Sequence, residues 1–167
     1  DRQFHAAAAS DPLDPTPFLA YAEWLATAAH SPGPGNEALR RAVDALDGAS
    51  ERDPFGLAPR RMKVSLCRLL ASRTGKAEDH LAAVAAAQRA LELYPLDPPS
   101  LVTLADCQLA AGQAVRSADL LQDAAKNYQI ALQLDDSRPA WESIRRFRTR
   151  ERDEIQEKIR LANSECP

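Results

Sequence analysis

The side chains best suited to move a proton or hold a metal near neutral pH are histidines, and this chain has three, His5, His30 and His80. A metal site needs several His, Cys or carboxylate ligands at close spacing. The three histidines lie in separate stretches, with no Cys or carboxylate at ligand spacing. The three cysteines, Cys67, Cys107 and Cys166, are odd in number and far apart. They read as buried small hydrophobes or idle thiols, and they do not settle the compartment. The chain lacks HExxH, GxSxG, GxGxxG and Walker-type patterns, so metalloprotease, hydrolase and nucleotide chemistry have no carrier. Ser31 to Gly35 is rich in glycine but interrupted by proline and not followed by lysine, which makes it a loop. The pair Asp135 and Asp136 reads as helix capping in a turn. Trp24 and Trp141 read as core or hairpin-packing residues. No catalytic residue, metal or cofactor is expected.

One charged run carries a binding hypothesis. Arg145, Arg146, Arg148, Arg150 and Arg152 surround Phe147. Five guanidiniums around an aromatic ring suit an anion or an acidic partner. The other reading is a solvated helix face, neutralised by i,i+4 pairs such as Glu142 with Arg146 and Glu154 with Lys158. Specific nucleic-acid recognition is not expected, because the net charge is −3 and there is no global electrostatic pull toward a polyanion. The charge is uneven. Residues 1–50 carry three basic groups (Arg2, Arg40, Arg41) against seven acidic ones, and residues 138–160 carry eight basic groups against five acidic ones.

These residues must be positioned by helices. Hydrophobic residues make up 45% of the 167 and aromatics only 5%, so alanine and leucine dominate the apolar set. Both lose little side-chain freedom in a helix. A chain of this length can bury roughly 70% of the surface it exposes when unfolded. No apolar run reaches the 18 or so residues of a membrane span. No signal peptide is visible, and the start at Asp1 suggests a piece of a longer protein whose remainder can still be membrane-bound.

The elements recur. Pro12-Leu13-Asp14-Pro15 returns 83 residues later as Pro95-Leu96-Asp97-Pro98. Taking Asp11, Asp53, Tyr94 and Asp135 as turn markers, the spacings are 42, 41 and 41 residues, and a proline follows each marker (Pro15, Pro59, Pro98, Pro139). Proline ends one helix and suits the first turn of the next. Between markers there is room for two helices. The first pair spans about 15–30 and 36–47, with Gly48 as its C-cap. The second spans 57–73 and 76–94, parted near Gly75, and the third 99–111 and 115–134, parted near Gly112. Residues 2–9 read as half of an earlier hairpin. After Asp136 the pattern changes to a short helix with Trp141, Ile144 and Phe147, a corner at Arg148–Thr149, and a last helix with Ile155, Ile159 and Ala162 inward. A period of about 41 residues marks a repeat architecture whose hairpins bury their apolar faces by stacking.

The second helices of the later pairs end as Ala90-Leu91-Glu92-Leu93-Tyr94-Pro95 and Ala131-Leu132-Gln133-Leu134-Asp135-Asp136. This resembles the close of a tetratricopeptide repeat, where Ala-Leu-x-Leu-Asp-Pro is typical. Ala83 and Ala124 match the family's small residue, Tyr128 its aromatic one, and Leu101, Leu104, Ala105 and Gly112 its first-helix spacing. The period departs from the usual 34 residues by about two helical turns. The resemblance implies an all-α fold of antiparallel helix hairpins stacked into a short right-handed superhelix with a C-terminal capping helix. It divides a single domain, 1–167, into a half repeat (1–10), repeats at 11–52, 53–93 and 94–134, and a cap at 135–167. It further implies a non-catalytic scaffold that takes a protein or peptide partner on its concave face, with Glu23, Ser65, Val102 and Asp106 as outward positions.

Residues 9–17, the ending Ala-Leu-Glu-Leu-Tyr-Pro-Leu-Asp-Pro, and Ile130 to Asp136 followed by Ile144 to Phe147 together are similar to the C-terminal tail of some bacterial O-antigen ligase or polymerase-family membrane proteins. That likeness implies an accessory role in partner or glycan-chain handling, with the membrane-embedded catalytic part outside this sequence.

Overall fold

The computed structural model of the protein describes residues 2–11, 13–29, 34–139, 141–142 and 146–165. Among these residues there are eight α-helices and no strand. They are α1 (Arg2–Ser10), α2 (Thr16–Ala28), α3 (Pro34–Arg52), α4 (Leu57–Thr74), α5 (Ala77–Leu91), α6 (Pro98–Val115), α7 (Ala118–Ser137) and α8 (Thr149–Ser164). The chain is all-α, and α1–α2, α2–α3, α3–α4, α6–α7 and α7–α8, each adjacent in sequence, pack against each other. It divides into two compact units, Asp1–Ala86 and Ala87–Pro167.

In the first unit the turn before α2 is built by Asp14, whose carboxylate accepts from the Thr16 backbone N–H at 2.9 Å. Hydrogen bonds from the Thr16 side chain and backbone hold that carboxyl below its ordinary value. Proline then occupies the first helical turn, where its missing N–H costs nothing. α2 and α3 are antiparallel: Tyr21 meets Arg41, whereas the earlier Phe18 meets the later Gly48 and Arg52. Their shared core holds Tyr21, Ala22, Leu25, Leu39, Ala42 and Leu46, with Leu66 and Leu70 of α4 against it. Arg73 of α4 donates to the Ala29 carbonyl at 2.6 Å, satisfying one of the orphan acceptors that every helix C-terminus leaves.

Two glycines behave differently from expectation. Gly48 is not a C-cap. It lies inside α3, and a Cβ there would sit 2.8 Å from the Phe18 ring. Gly112 likewise does not part the third pair. It is buried inside α6, where a Cβ would lie 2.9 Å from the Leu121 side chain. Each is glycine because a side chain of the partner helix occupies the space. The break after α6 falls at Arg116, in the left-handed region at φ 53°, followed by Ser117, whose hydroxyl accepts from Leu120 N–H at 3.4 Å. Gly75, at φ 63°, does end α4, the position where glycine relieves the strain of a left-handed residue. α5 ends at Leu91, so Tyr94 is in the turn that follows.

In the second unit Asp97 caps α6, accepting from Ser100 N–H at 3.0 Å and Ser100 Oγ at 2.6 Å. α6 and α7 form an antiparallel hairpin: Asp106 meets Tyr128, Gln108 meets Asn127, and Gly112 meets Leu121. α8 runs parallel to α6 at a constant offset, because Asp106 pairs with Lys158 and Gln113 with Glu165, each 52 residues apart. Leu109, Leu121, Ala124, Tyr128, Ile155 and Ala162 form the core of this three-helix layer. Asp135, expected in a turn, lies in the last turn of α7, which continues to Ser137.

The close approach at Gly112 gives a direct test. Gly112→Leu should lower stability by about 1–3 kcal/mol, the usual cost of overpacking. It should appear as a lower urea midpoint at unchanged slope.

Candidate partner-binding site

Three short patterns converge in the first unit. Phe4 and Ala8 of α1, Pro17, Phe18 and Tyr21 of α2, and Arg41, Asp44 and Ala45 of α3 line one open cleft of about 320 Å³. Spacings of three and four residues keep each set on one helix face. The walls are aromatic. The Phe4 and Tyr21 ring centroids are 5.1 Å apart, and Trp24 stacks on Tyr21 at 6.0 Å. The Arg52 guanidinium lies 4.1 Å over the Phe18 ring, and Arg41 both donates to the Tyr21 hydroxyl and sits 5.8 Å from its ring. Asp44 is exposed, and among the described residues its carboxylate is in no ion pair. A second hollow of about 450 Å³, at the α6–α7 turn, is lined by Gly112, Gln113, Arg116, Ala118, Leu121 and Glu165 and has no aromatic wall.

The sequence reading did not single out this cleft. Its signal was a concentration of aromatics: Phe4, Phe18, Tyr21 and Trp24 are four of the chain's nine. Trp24 and Trp141, expected in the core or in hairpin packing, are 51% and 79% exposed. Trp24 rests its ring on Tyr21 while keeping an open side, and Trp141 lies in the connection to α8.

The four positions implied by the repeat resemblance fall into two pairs. Glu23 on α2 and Ser65 on α4 are exposed in the first unit, and the Ser65 hydroxyl donates to its own helix at the Arg61 carbonyl. Val102 and Asp106 lie in the second unit. Val102 is half-buried against the core that Ala105, Tyr128 and Ile155 share. The Asp106 carboxylate accepts from Tyr128 Oη at 2.6 Å and from Lys158 Nζ at 2.7 Å.

The arginine run is divided. Arg145 lies outside the described residues. Arg146 donates to the carbonyls of Asp136 and Arg138, at 2.9 and 3.0 Å. Arg152 bridges Asp135 at 2.7 Å and Asp136 at 2.8 Å, and those carboxylates push its pKa up. Arg150 pairs with Glu154 in solvent, and Arg148 is exposed. The expected pair Glu154–Lys158 is therefore not made: Lys158 reaches across to α6, and Glu154 turns back to Arg150. The expected pairing of Glu142 with Arg146 gives way to the carbonyl bonds.

Burial pushes the Cys67 thiol up to about 11 despite nearby Lys63, so it stays protonated at neutral pH. Among the described residues, no group of three or more His, Cys, Asp or Glu is placed to hold a metal ion. Among the described residues, no helix is long and apolar enough to cross a membrane.

Fold and site together define an all-α helix-hairpin chain with an aromatic-walled cleft among its described residues. No protein-family model matches the sequence, and no curated protein matches it. Among solved structures, a crystal structure of MamA is similar over 98% of this chain and 85% of that one, at 13% identity and a TM-score of 0.49. That likeness is too distant to carry an argument about function.

The divided arginine run predicts unequal costs. Arg152→Ala should lose about 3–5 kcal/mol, because it strands the buried Asp135 carboxylate. Arg150→Ala should lose no more than about 0.5 kcal/mol, as exposed i,i+4 pairs do. Chemical denaturation of the two variants measures the difference.

Proposed function

We propose that the chain is a non-catalytic protein-interaction module. The observation that carries this reading is the first-unit cleft. It is concave, walled by three aromatic rings, rimmed by Arg41 and Asp44, and sized near the lower end of ligand pockets. Aromatic and arginine side chains of this kind are enriched where proteins bind one another. The tetratricopeptide-like endings at Ala90–Pro95 and Ala131–Asp136 support the same reading, since stacked hairpins present broad surfaces for partners.

The concave-face reading places the partner at Glu23 and Ser65, with Val102 and Asp106 in the second unit. Exposure of Glu23 and Ser65 supports the first pair. For the second pair, α8 already makes contacts that a partner would have to replace. The anion reading of the arginine run rests chiefly on Arg148, since Arg146, Arg150 and Arg152 have acceptors within the chain. The accessory role in a membrane glycan enzyme of the O-antigen ligase or polymerase type rests on the sequence likeness of residues 9–17, 90–98 and 130–147.

Peptides selected by display against the intact chain test the reading, with affinities measured by calorimetry. Ala8→Arg, which fills the cleft, should weaken the selected peptides at least tenfold. Loss on Glu23→Arg with Ser65→Arg would instead move the partner to the first-helix face. Failure to select any peptide, or indifference to both variants, contradicts the reading.

A further inference from the structure

We infer that the first-unit cleft selects an aromatic side chain that can donate a hydrogen bond, tryptophan foremost, presented by a peptide partner. The inference rests on the interaction reading above and names what that site takes.

The walls set the body of the ligand. Phe4, Phe18 and Tyr21 are the large groups bordering the space, and aromatic rings pair well with one another in tilted or offset contact. The volume, about 320 Å³ in an open cleft, suits one large side chain better than an extended ligand.

The rim sets its polarity. A cation is the first thing an aromatic wall and a carboxylate would attract. Here two cations from the chain itself are already in place, Arg52 over Phe18 at 4.1 Å and Arg41 beside Tyr21. A lysine entering the cleft would meet Arg41 on its lining, with only Asp44 to offset it, and would find the Phe18 ring already engaged by Arg52. An anion would have to sit beside Asp44 and compete with the Tyr21 hydroxyl for Arg41. A neutral ring avoids both conflicts.

Asp44 then discriminates among neutral rings. Ionised, it is acceptor-only, it lines the cleft, and among the described residues no cation pairs with it. It can accept an indole N–H or a phenol O–H, and phenylalanine offers it nothing. A hydrogen bond to a charged group in a partly exposed site is worth on the order of five- to tenfold in affinity.

The test uses the intact chain and five-residue peptides Gly-Ser-X-Ser-Gly with X as Trp, Phe, Lys or Glu, titrated while backbone amide shifts are followed by NMR. The expected result is tightest binding for Trp, about fivefold or more over Phe, with shifts at residues 4–8, 17–21 and 41–45. Asp44 is exposed, so its variants should fold, and circular dichroism checks that they do. Asp44→Ala should erase the preference for Trp over Phe, while Asp44→Asn, which keeps an acceptor oxygen, should retain most of it. Equal binding of Phe and Trp, tightest binding of Lys or Glu, or a Trp preference that survives Asp44→Ala would each overturn the inference. In the first of these cases cleft shifts would still be seen, and the interaction reading would stand. If none of the peptides shifts cleft residues, the inference falls, and the display experiment decides the interaction reading separately.

Discussion

A buried carboxylate organises the second unit. The Asp135 side chain is 1% exposed, and removing an ionised carboxylate from water costs several kcal/mol unless charge and hydrogen bonds replace the solvent. Arg152 and the Phe147 backbone N–H supply that replacement, at 2.7 and 3.0 Å. Both lie beyond the end of α7, so the chain has to turn back for Asp135 to be satisfied. That return starts α8 where its apolar face can reach α6 and α7, and Glu151 fastens the start by accepting from Arg148 N–H at 2.7 Å. Lys158 then finds Asp106, and that part of the α6 face becomes half-buried.

The first unit is governed by how closely its helices approach. Ala22, Ala29, Leu39, Ala42 and Ala49 have no exposed surface. Small side chains let α2 and α3 approach closely, and Gly48 lets the Phe18 ring lie against the α3 backbone. The cleft is what remains where that regime stops. There Phe4, Phe18 and Tyr21 border open space, and the exposed polar pair Arg41 and Asp44 keeps the rim in water.

Much of the helical order was legible because proline and apolar spacing act locally. The turns at Asp14–Pro15, Asp53–Pro54 and Asp97–Pro98 each precede a helix, and the corner at Arg148–Thr149 starts α8. The misreadings share one cause. Gly48 and Gly112 carry the composition of a helix end, yet each is defined by a side chain about 30 or 9 residues away, Phe18 and Leu121, which no local window contains. Asp135 looked like a cap for the same reason: its partners are Phe147 and Arg152. The arginines looked like a patch because sequence shows charge without showing the acceptors within the fold. The aromatic cleft went unread because Phe4 meets Phe18 and Tyr21 only when α1 and α2 are assembled, and Arg41 and Asp44 join them only from α3.

The claim that Asp135 holds the cap in place is tested most directly by amide hydrogen exchange on Asp135→Ala beside the parent chain. Amides of residues 149–164 should lose protection by a large factor while those of residues 20–28 and 38–50 keep theirs. Unchanged protection in α8 would contradict it, and so would a uniform loss across the chain.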